Sequence, residues 1–385
     1  MPILACGGCV KNIFVTEEEL IDRFTGQELW LWGYGFAGTL GTNTIINRPS
    51  PVQTISGGTN WRQVSLGGVH SAAIKTDGSL WLWGVSYWGQ LGNNLRLTQS
   101  SPVQTVSGGT NWRQVSLGGV HSAAIKTDGS LWLWGEGNDG RLGENILIRR
   151  SSPVQTISSG TNWRQVSLGP YHSAAIKTDG SLWLWGLGTC GRLGDNSTIS
   201  KSSPVQTVSA GNNWKQVSLS YGHSAAIKTD GTLWLWGYNG TGVLGTNSLT
   251  NQSSPVQTVS TGDNWKQVSL GRFHSAAIKT DGSLWSWGLG AYGVLGTNST
   301  TGQSSPVQTI SGGNNWKQVS LKCFNSAAIK TDGSLWMWGD NRCGQLGNNL
   351  TISQSSPVQT VSGGNSWRQV DLGNRHSAAT CVIEF

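Results

Sequence analysis

The sequence predicts an all-β protein, a seven-bladed β-propeller of four-stranded antiparallel blades with a 51-residue repeat. Three observations carry this. A lone tryptophan recurs at Trp61, Trp112, Trp163, Trp214, Trp265, Trp316 and Trp367, every 51 residues, and a Trp-x-Trp pair recurs in the same step from Trp30/Trp32 to Trp336/Trp338. Each unit holds four strand-like segments. Finally, the two ends carry complementary halves of a unit. The first copy starts at Glu28 with the Trp pair and a fourth strand, and the last stops after a second strand, His376–Phe385. A closed ring joins them into one blade built from both termini, whereas an open array would expose two apolar half-units.

The unit from Trp61 to Asn111 shows the elements in order. Trp61–Leu66 alternates in polarity and reads as the first strand. A turn at Gly67–Val69 leads to the second, His70–Thr76, whose small Ser71, Ala72 and Ala73 imply close approach by a neighbour. Asp77-Gly78 signals a two-residue hairpin of type I′, with positive φ at both positions. Ser79–Gly84 is the third strand, with Trp81 and Trp83 on one face. A long loop ends near Pro102, and Val103–Val106 is a short fourth strand at an edge, where a leading proline is tolerated.

The runs Gly68-Val69-His70-Ser71, Asp77-Gly78-Ser79-Leu80-Trp81-Leu82-Trp83-Gly84 and Gly89-Gln90-Leu91-Gly92 resemble the regulator of chromosome condensation repeat. The resemblance covers all seven copies and implies a seven-bladed propeller closed by both termini. It does not imply one function: the family includes an exchange factor for the small GTPase Ran, modules of ubiquitin ligases and a secreted bacterial inhibitor of β-lactamases. The compact, equal units look like bacterial and bacteriophage members. The eukaryotic exchange factor carries an inserted wedge and a basic N-terminal tail, and this chain shows neither.

Composition narrows the function classes. Only 12% of the 385 residues are charged while 22 are tryptophan, which excludes a generic disordered chain. No apolar run reaches the roughly 18–20 residues of a membrane helix, and no secretory signal is visible, so the expectation is an intracellular chain or a virion component with no membrane partner. The net charge of +7 follows the repeat frame: one basic residue after each lone tryptophan, from Arg62 to Arg368, with no basic arm. Cys6 and Cys9 have C-x-x-C spacing but no partner pair, so metal binding is not expected there. Residues 1–27 form a separate N-terminal segment, in which Thr16 to Glu19 match a helix capping box ahead of Leu20; residues 28–385 form the propeller as one domain.

The copies differ from one another in two places: the turn before the histidine position and the loop after the Trp pair. A meander puts both on one face of the disc, and the Asp-Gly turns and inter-blade loops on the other. The variable face collects Tyr87, Trp88, Asp139, Tyr171, Tyr221, Tyr238, Arg272, Phe273, Tyr292, Phe324, Arg342 and Arg375 as candidate partner-binding residues. Aromatic and arginine side chains suit interface anchors. Histidine recurs at His70, His121, His172, His223, His274 and His376, with Asn325 in the seventh place; the expectation is a structural histidine bonded to backbone and no metal. No nucleophile elbow or phosphate loop occurs, so no catalytic residue, cofactor or enzymatic activity is expected. The leading expectation is a non-catalytic protein-binding scaffold, a structural or accessory subunit of a larger assembly such as a phage virion. The alternatives are an exchange-factor-like regulator of a small GTPase and nucleic-acid binding through a basic ring, the latter not favoured because no patch is visible.

Overall fold

The computed structural model describes residues 27–382 apart from 57, 108, 158–159, 209–210, 260–261, 311–312 and 362–363. The expected N-terminal helix and the Cys6/Cys9 pair lie outside the described residues. Seven four-stranded antiparallel sheets surround an axis. Blade 1 comprises Trp61–Leu66, His70–Lys75, Leu80–Gly84 and Gln99–Gln104, paired in chain order. Blades 2 to 6 repeat it, starting at Trp112, Trp163, Trp214, Trp265 and Trp316. Blade 7 is composite: Trp367–Leu372 and His376–Val382 from the C-terminal end pair with Gln27–Gly33 and Arg48–Gln53 from the N-terminal end. The junction strands match over their whole length, from Gln27 opposite Val382 to Gly33 opposite His376.

The core lies between blades. Each of seven apolar clusters spans two neighbours, as where Ala174, Ile176, Leu182 and Leu184 of blade 3 meet Trp214, Val217 and Trp236 of blade 4. At the closing seam Leu29 and Leu31 of blade 7 pack on Trp61, Val64 and Trp83 of blade 1. The two indoles of each pair are not equivalent. Trp83, Trp134 and Trp185 are fully buried, while Trp81, Trp132 and Trp183 stay half-buried under a lysine ammonium. Large-to-small truncation therefore costs most at the second indole of a pair.

Two local readings are corrected. Only Gly78 (φ 80°) adopts positive φ in the Asp-Gly turn; Asp77 does not. Gly78 N–H bonds to Lys75 O (2.9 Å) and Lys75 N–H to Ser79 O (3.0 Å), so three residues make the loop, a type I turn closed by a glycine bulge. The fourth strand begins earlier than Val103, at Gln99, and Pro102 sits inside it. The strand is the outer edge of the blade, where a missing N–H leaves no ladder bond unmade.

Candidate partner-binding face

The shared frame holds the face in place through one buried network per blade boundary. Gln90 O, in the long loop of blade 1, accepts both the Trp134 indole N–H (2.8 Å) and the Ser122 hydroxyl (2.7 Å) of blade 2. Because that hydroxyl donates to the carbonyl, it accepts from His70 Nε2–H at 3.0 Å. The same clasp recurs from His121 to Ser173, His172 to Ser224, His223 to Ser275, His274 to Ser326 and His376 to Ser71. The histidines thus bond a serine of the next blade, not backbone as the sequence led us to expect. Burial pushes His70, His223, His274 and His376 down to about 3, because a charged ring there would lie away from water.

The carbonyl of this clasp belongs to a position whose side chain is free to vary: Thr39, Gln90, Arg141, Arg192, Val243, Val294 and Gln345. Its two arginines brace the next blade's turn. Arg141 Nη1 donates to Pro170 O (3.0 Å), and Arg192 Nη1 donates to Tyr221 O (2.6 Å).

On this support the variable loops form a ribbon of arginine and aromatic groups. The Arg141 guanidinium lies 5.4 Å from the Tyr171 ring, and Tyr171 meets Tyr221 edge-on at 5.7 Å. Arg272 sits 4.5 Å from Tyr221 and 5.0 Å from Phe273. Phe273 reaches Phe324 at 6.0 Å, Phe324 reaches Tyr292 at 5.3 Å, and Arg342 caps Tyr292 at 5.0 Å. Cation–π pairs of this kind favour a fixed arrangement of otherwise mobile arginines. The ribbon crosses blades 2 to 6.

Seven of the twelve sequence-chosen residues are therefore joined: Tyr171, Tyr221, Arg272, Phe273, Phe324, Tyr292 and Arg342. Tyr238 lines a cavity of about 270 Å3 beside them, with Tyr171, Tyr221, Arg272 and Phe273. Tyr87 and Trp88 pair with each other on blade 1, and Tyr87 is 60% exposed. Arg375 lies over Tyr34, which stacks on Phe36 at 5.7 Å. Asp139 is bound to Arg141 at 2.6 Å, so its carboxylate orients a ribbon residue. Arg141, Arg192, Tyr34 and Phe36 were missed by sequence reasoning. The first two sit inside the otherwise constant Leu-Gly motif; lining up that one position at 51-residue steps would have found them.

The opposite face is repetitive. The lysine ahead of each Asp-Gly turn is not free: Lys75 lies over Trp61 (5.0 Å) and Trp81 (4.8 Å), and five more blades copy this. In the basic ring, Arg62, Arg113 and Arg164 reach the backbone of the next blade's first strand, donating to Trp112 O, Trp163 O and Trp214 O at 2.8, 2.9 and 2.8 Å. These guanidiniums act as struts.

The RCC1-like domain matches residues 28–380. This chain belongs to that family. Among RCC1-like proteins, it is 30% identical over 369 residues to RUG3, a mitochondrial RCC1 domain-containing protein of Arabidopsis thaliana, across 86% of this chain and 82% of RUG3. It is 28% identical over 345 residues to the ultraviolet-B receptor UVR8 of the same plant, across 86% of this chain and 77% of UVR8. Yeast RCC1 (Prp20), solved bound to Kap60, superposes with a TM-score of 0.83 at 17% identity, covering 100% of this chain and 96% of that one; this likeness is one of fold. These RCC1-like relatives are eukaryotic, and they lend no support to the bacterial or bacteriophage placement or to a virion role.

Proposed function

We propose that this chain is a non-catalytic protein-binding propeller whose variable loop face docks a protein partner. The observation that carries the reading is the ribbon from Arg141 to Arg342, ordered and partly exposed on a frame that is otherwise repeated. Rigid aromatic and arginine anchors of this sort dominate binding energy at protein interfaces. Two solved structures of one protein of the same fold, yeast RCC1 (Prp20), point the same way. Yeast RCC1 was captured with Kap60, and Prp20p was characterised for binding Gsp1p and histones. A nucleotide-exchange role has less support, because the seven units stay in step at 51 residues with no inserted element to act on a GTPase.

The test is a quantitative pull-down comparing the full chain with a Phe273→Ala/Tyr292→Ala/Phe324→Ala variant and with an Arg368→Gln variant of the other face. The expected result is partner recovery reduced at least tenfold by the first and unchanged by the second. The reverse pattern would sink the reading.

A further inference from the structure

The second residue of each turn before the histidine position forms a ring about the axis on the variable face: Gly68, Gly119, Pro170, Tyr221, Arg272, Cys323 and Asn374. The ring is lopsided. Two glycines leave one side low, and Tyr221, Arg272 and Cys323 stand on the other. A cavity of about 350 Å3 opens between them, walled by Tyr34, Phe36, Tyr221, Arg272, Cys323 and Arg375 among others.

Its chemistry is that of an anion site. The Arg272 guanidinium is fixed between the Tyr221 and Phe273 rings, and its Nε is buried without a hydrogen-bond partner. Arg375 enters the same cavity over the Tyr34 ring. The fields of both guanidiniums act on the one Cys323 thiol, so a single small group can feel both. Neither is held by an ion pair among the described residues. By contrast Arg141, Arg149 and Arg342, in the variable loops, and Arg150, which opens the fourth strand of blade 2, bind Asp139, Glu136, Asp340 and Glu144 at 2.6, 3.1, 2.9 and 2.6 Å. Arg192 on the same face also has no carboxylate, but its guanidinium donates to Thr189 O (2.9 Å), Thr189 Oγ1 (2.9 Å) and Tyr221 O (2.6 Å). Arg272 and Arg375 are the two forks in this cavity without a carboxylate among the described residues.

The shape decides the kind of ligand. Pockets for free small molecules enclose most of the ligand surface, and this one has no side-chain wall at Gly68. It is also continuous with the ribbon through Tyr221 and Arg272. We propose that this mouth is the anchor pocket for a carboxylate side chain on an acidic segment of the partner protein, seated between Arg272 and Arg375 with a neighbouring aromatic residue against Tyr34 and Phe36. The proposal rests on the variable face being the docking face, and it names what that face selects.

The experiment uses the labelled full chain on an array of seven-residue peptides. Each peptide carries Asp or Glu beside Phe, Tyr or Trp, and is printed with matched Asn or Gln copies and phosphoserine copies. We expect acidic peptides to be retained at least tenfold over their amide copies. That preference should disappear in Arg272→Gln/Arg375→Gln and persist in Arg272→Lys, which keeps the charge if the neutral variant is poorly folded. Equal retention of acid and amide, or a preference that survives the double substitution, overturns the proposal; stronger retention of phosphoserine overturns the carboxylate assignment. If Tyr292→Ala lowers all retention while the arginine variants change nothing, the docking face stands and the anchor falls. If only Arg368→Gln lowers retention, the docking face itself falls.

Discussion

Six blade boundaries carry a buried histidine–serine clasp, and the boundary between blades 6 and 7 does not. There Asn325 replaces the histidine and its side-chain amide donates to Asp340 O of its own blade. Ser377 keeps its bond to Gln345 O (2.8 Å) without an imidazole partner. Two further departures sit at the same boundary. Lys322 occupies a position that is glycine in five blades and serine in one, and Asp371 replaces a serine found in the other six. In blade 1 a Cβ added at Gly67 would come within 2.6 Å of the His70 ring. The one blade with a long side chain at that position is the one whose imidazole is gone, though Ser220 beside His223 shows that a short side chain still fits. The difference teaches that the indole-to-carbonyl bond, kept here as Trp32 Nε1 to Gln345 O at 2.9 Å, is the obligatory part of the joint. The clasp is replaceable, and its replacement is a charged group in the axial channel.

The largest way to break the comparison removes a boundary altogether. Deleting residues 377–385 takes away nearly all of the strand that pairs with both Gln27–Gly33 and Trp367–Leu372, together with the Ser377 bond to Gln345 O, and leaves His376, the clasp partner of Ser71, as an unanchored chain end. Stability of the order of 5–15 kcal/mol cannot survive an open seam between Leu29, Leu31 and Trp61. Thermal unfolding should lose its cooperative transition. A melt like that of the full chain would mean that the ring does not depend on closure.

Much of this fold was legible because a packing unit that recurs every 51 residues must bury the same face each time, and the half-units at the ends announced the composite blade. The misread details lie between copies. A histidine's partner 52 residues away, on the next blade, leaves no mark within one unit; nor does the choice of Trp185 over Trp183 as the buried indole, since both point to the same side of the strand. The variable face was half legible. Its aromatic residues stood out against constant neighbours, but their connection into a ribbon depends on Arg141, whose backbone does the job shared by every blade while its side chain does a local one.

A smaller effect sharpens the comparison through pH. A clasp histidine holds its neutral form in the fold, with Nε2–H on serine and, in five of six, a buried Nδ1 that has no partner. The unfolded chain takes up a proton near pH 6.5, whereas His223 in the fold does so only near 3. The unfolded state therefore binds more protons throughout that window. Stability is full above about pH 6.5 and falls as the pH is lowered toward 3, by about 1.4 kcal/mol per pH unit for each such histidine. His223→Asn, which copies the residue found at Asn325, should cost about 0.5–1.5 kcal/mol at pH 7.5 for the lost bond. It should also flatten the acid slope by one histidine's share in urea titrations between pH 7.5 and 4.5. An unchanged slope would show that the clasp does not couple to protons.

The smallest expected effect, that of a double substitution, concerns the two charged residues that stand where the clasp is missing. Six serines and Asp371 line a narrow axial cavity of about 120 Å3 with Lys322 at its edge. Asp371 accepts the Leu66 N–H of blade 1 at 2.6 Å and the Ser320 hydroxyl of blade 6 at 3.0 Å, so it ties three blades at the point of closure. Burial raises its carboxyl, while Lys322 and these donors pull it back toward the charged form. Burial likewise lowers Lys322, opposed first by Asp371, and Lys322 in turn disfavours charge on His70, His121 and His376. Asp371→Ser restores the commoner residue yet removes the carboxylate whose field favours the Lys322 ammonium and leaves the Leu66 N–H without its acceptor, at a cost of about 1–3 kcal/mol. Adding Lys322→Gly removes the orphaned charge, and replacing both members of such a pair is often near neutral. A double-mutant cycle read by urea denaturation at pH 7.5 should therefore show the double variant more stable than Asp371→Ser alone. Additive losses would instead mean that Asp371 serves only Leu66 and Ser320, and that the lysine stands beside it without coupling.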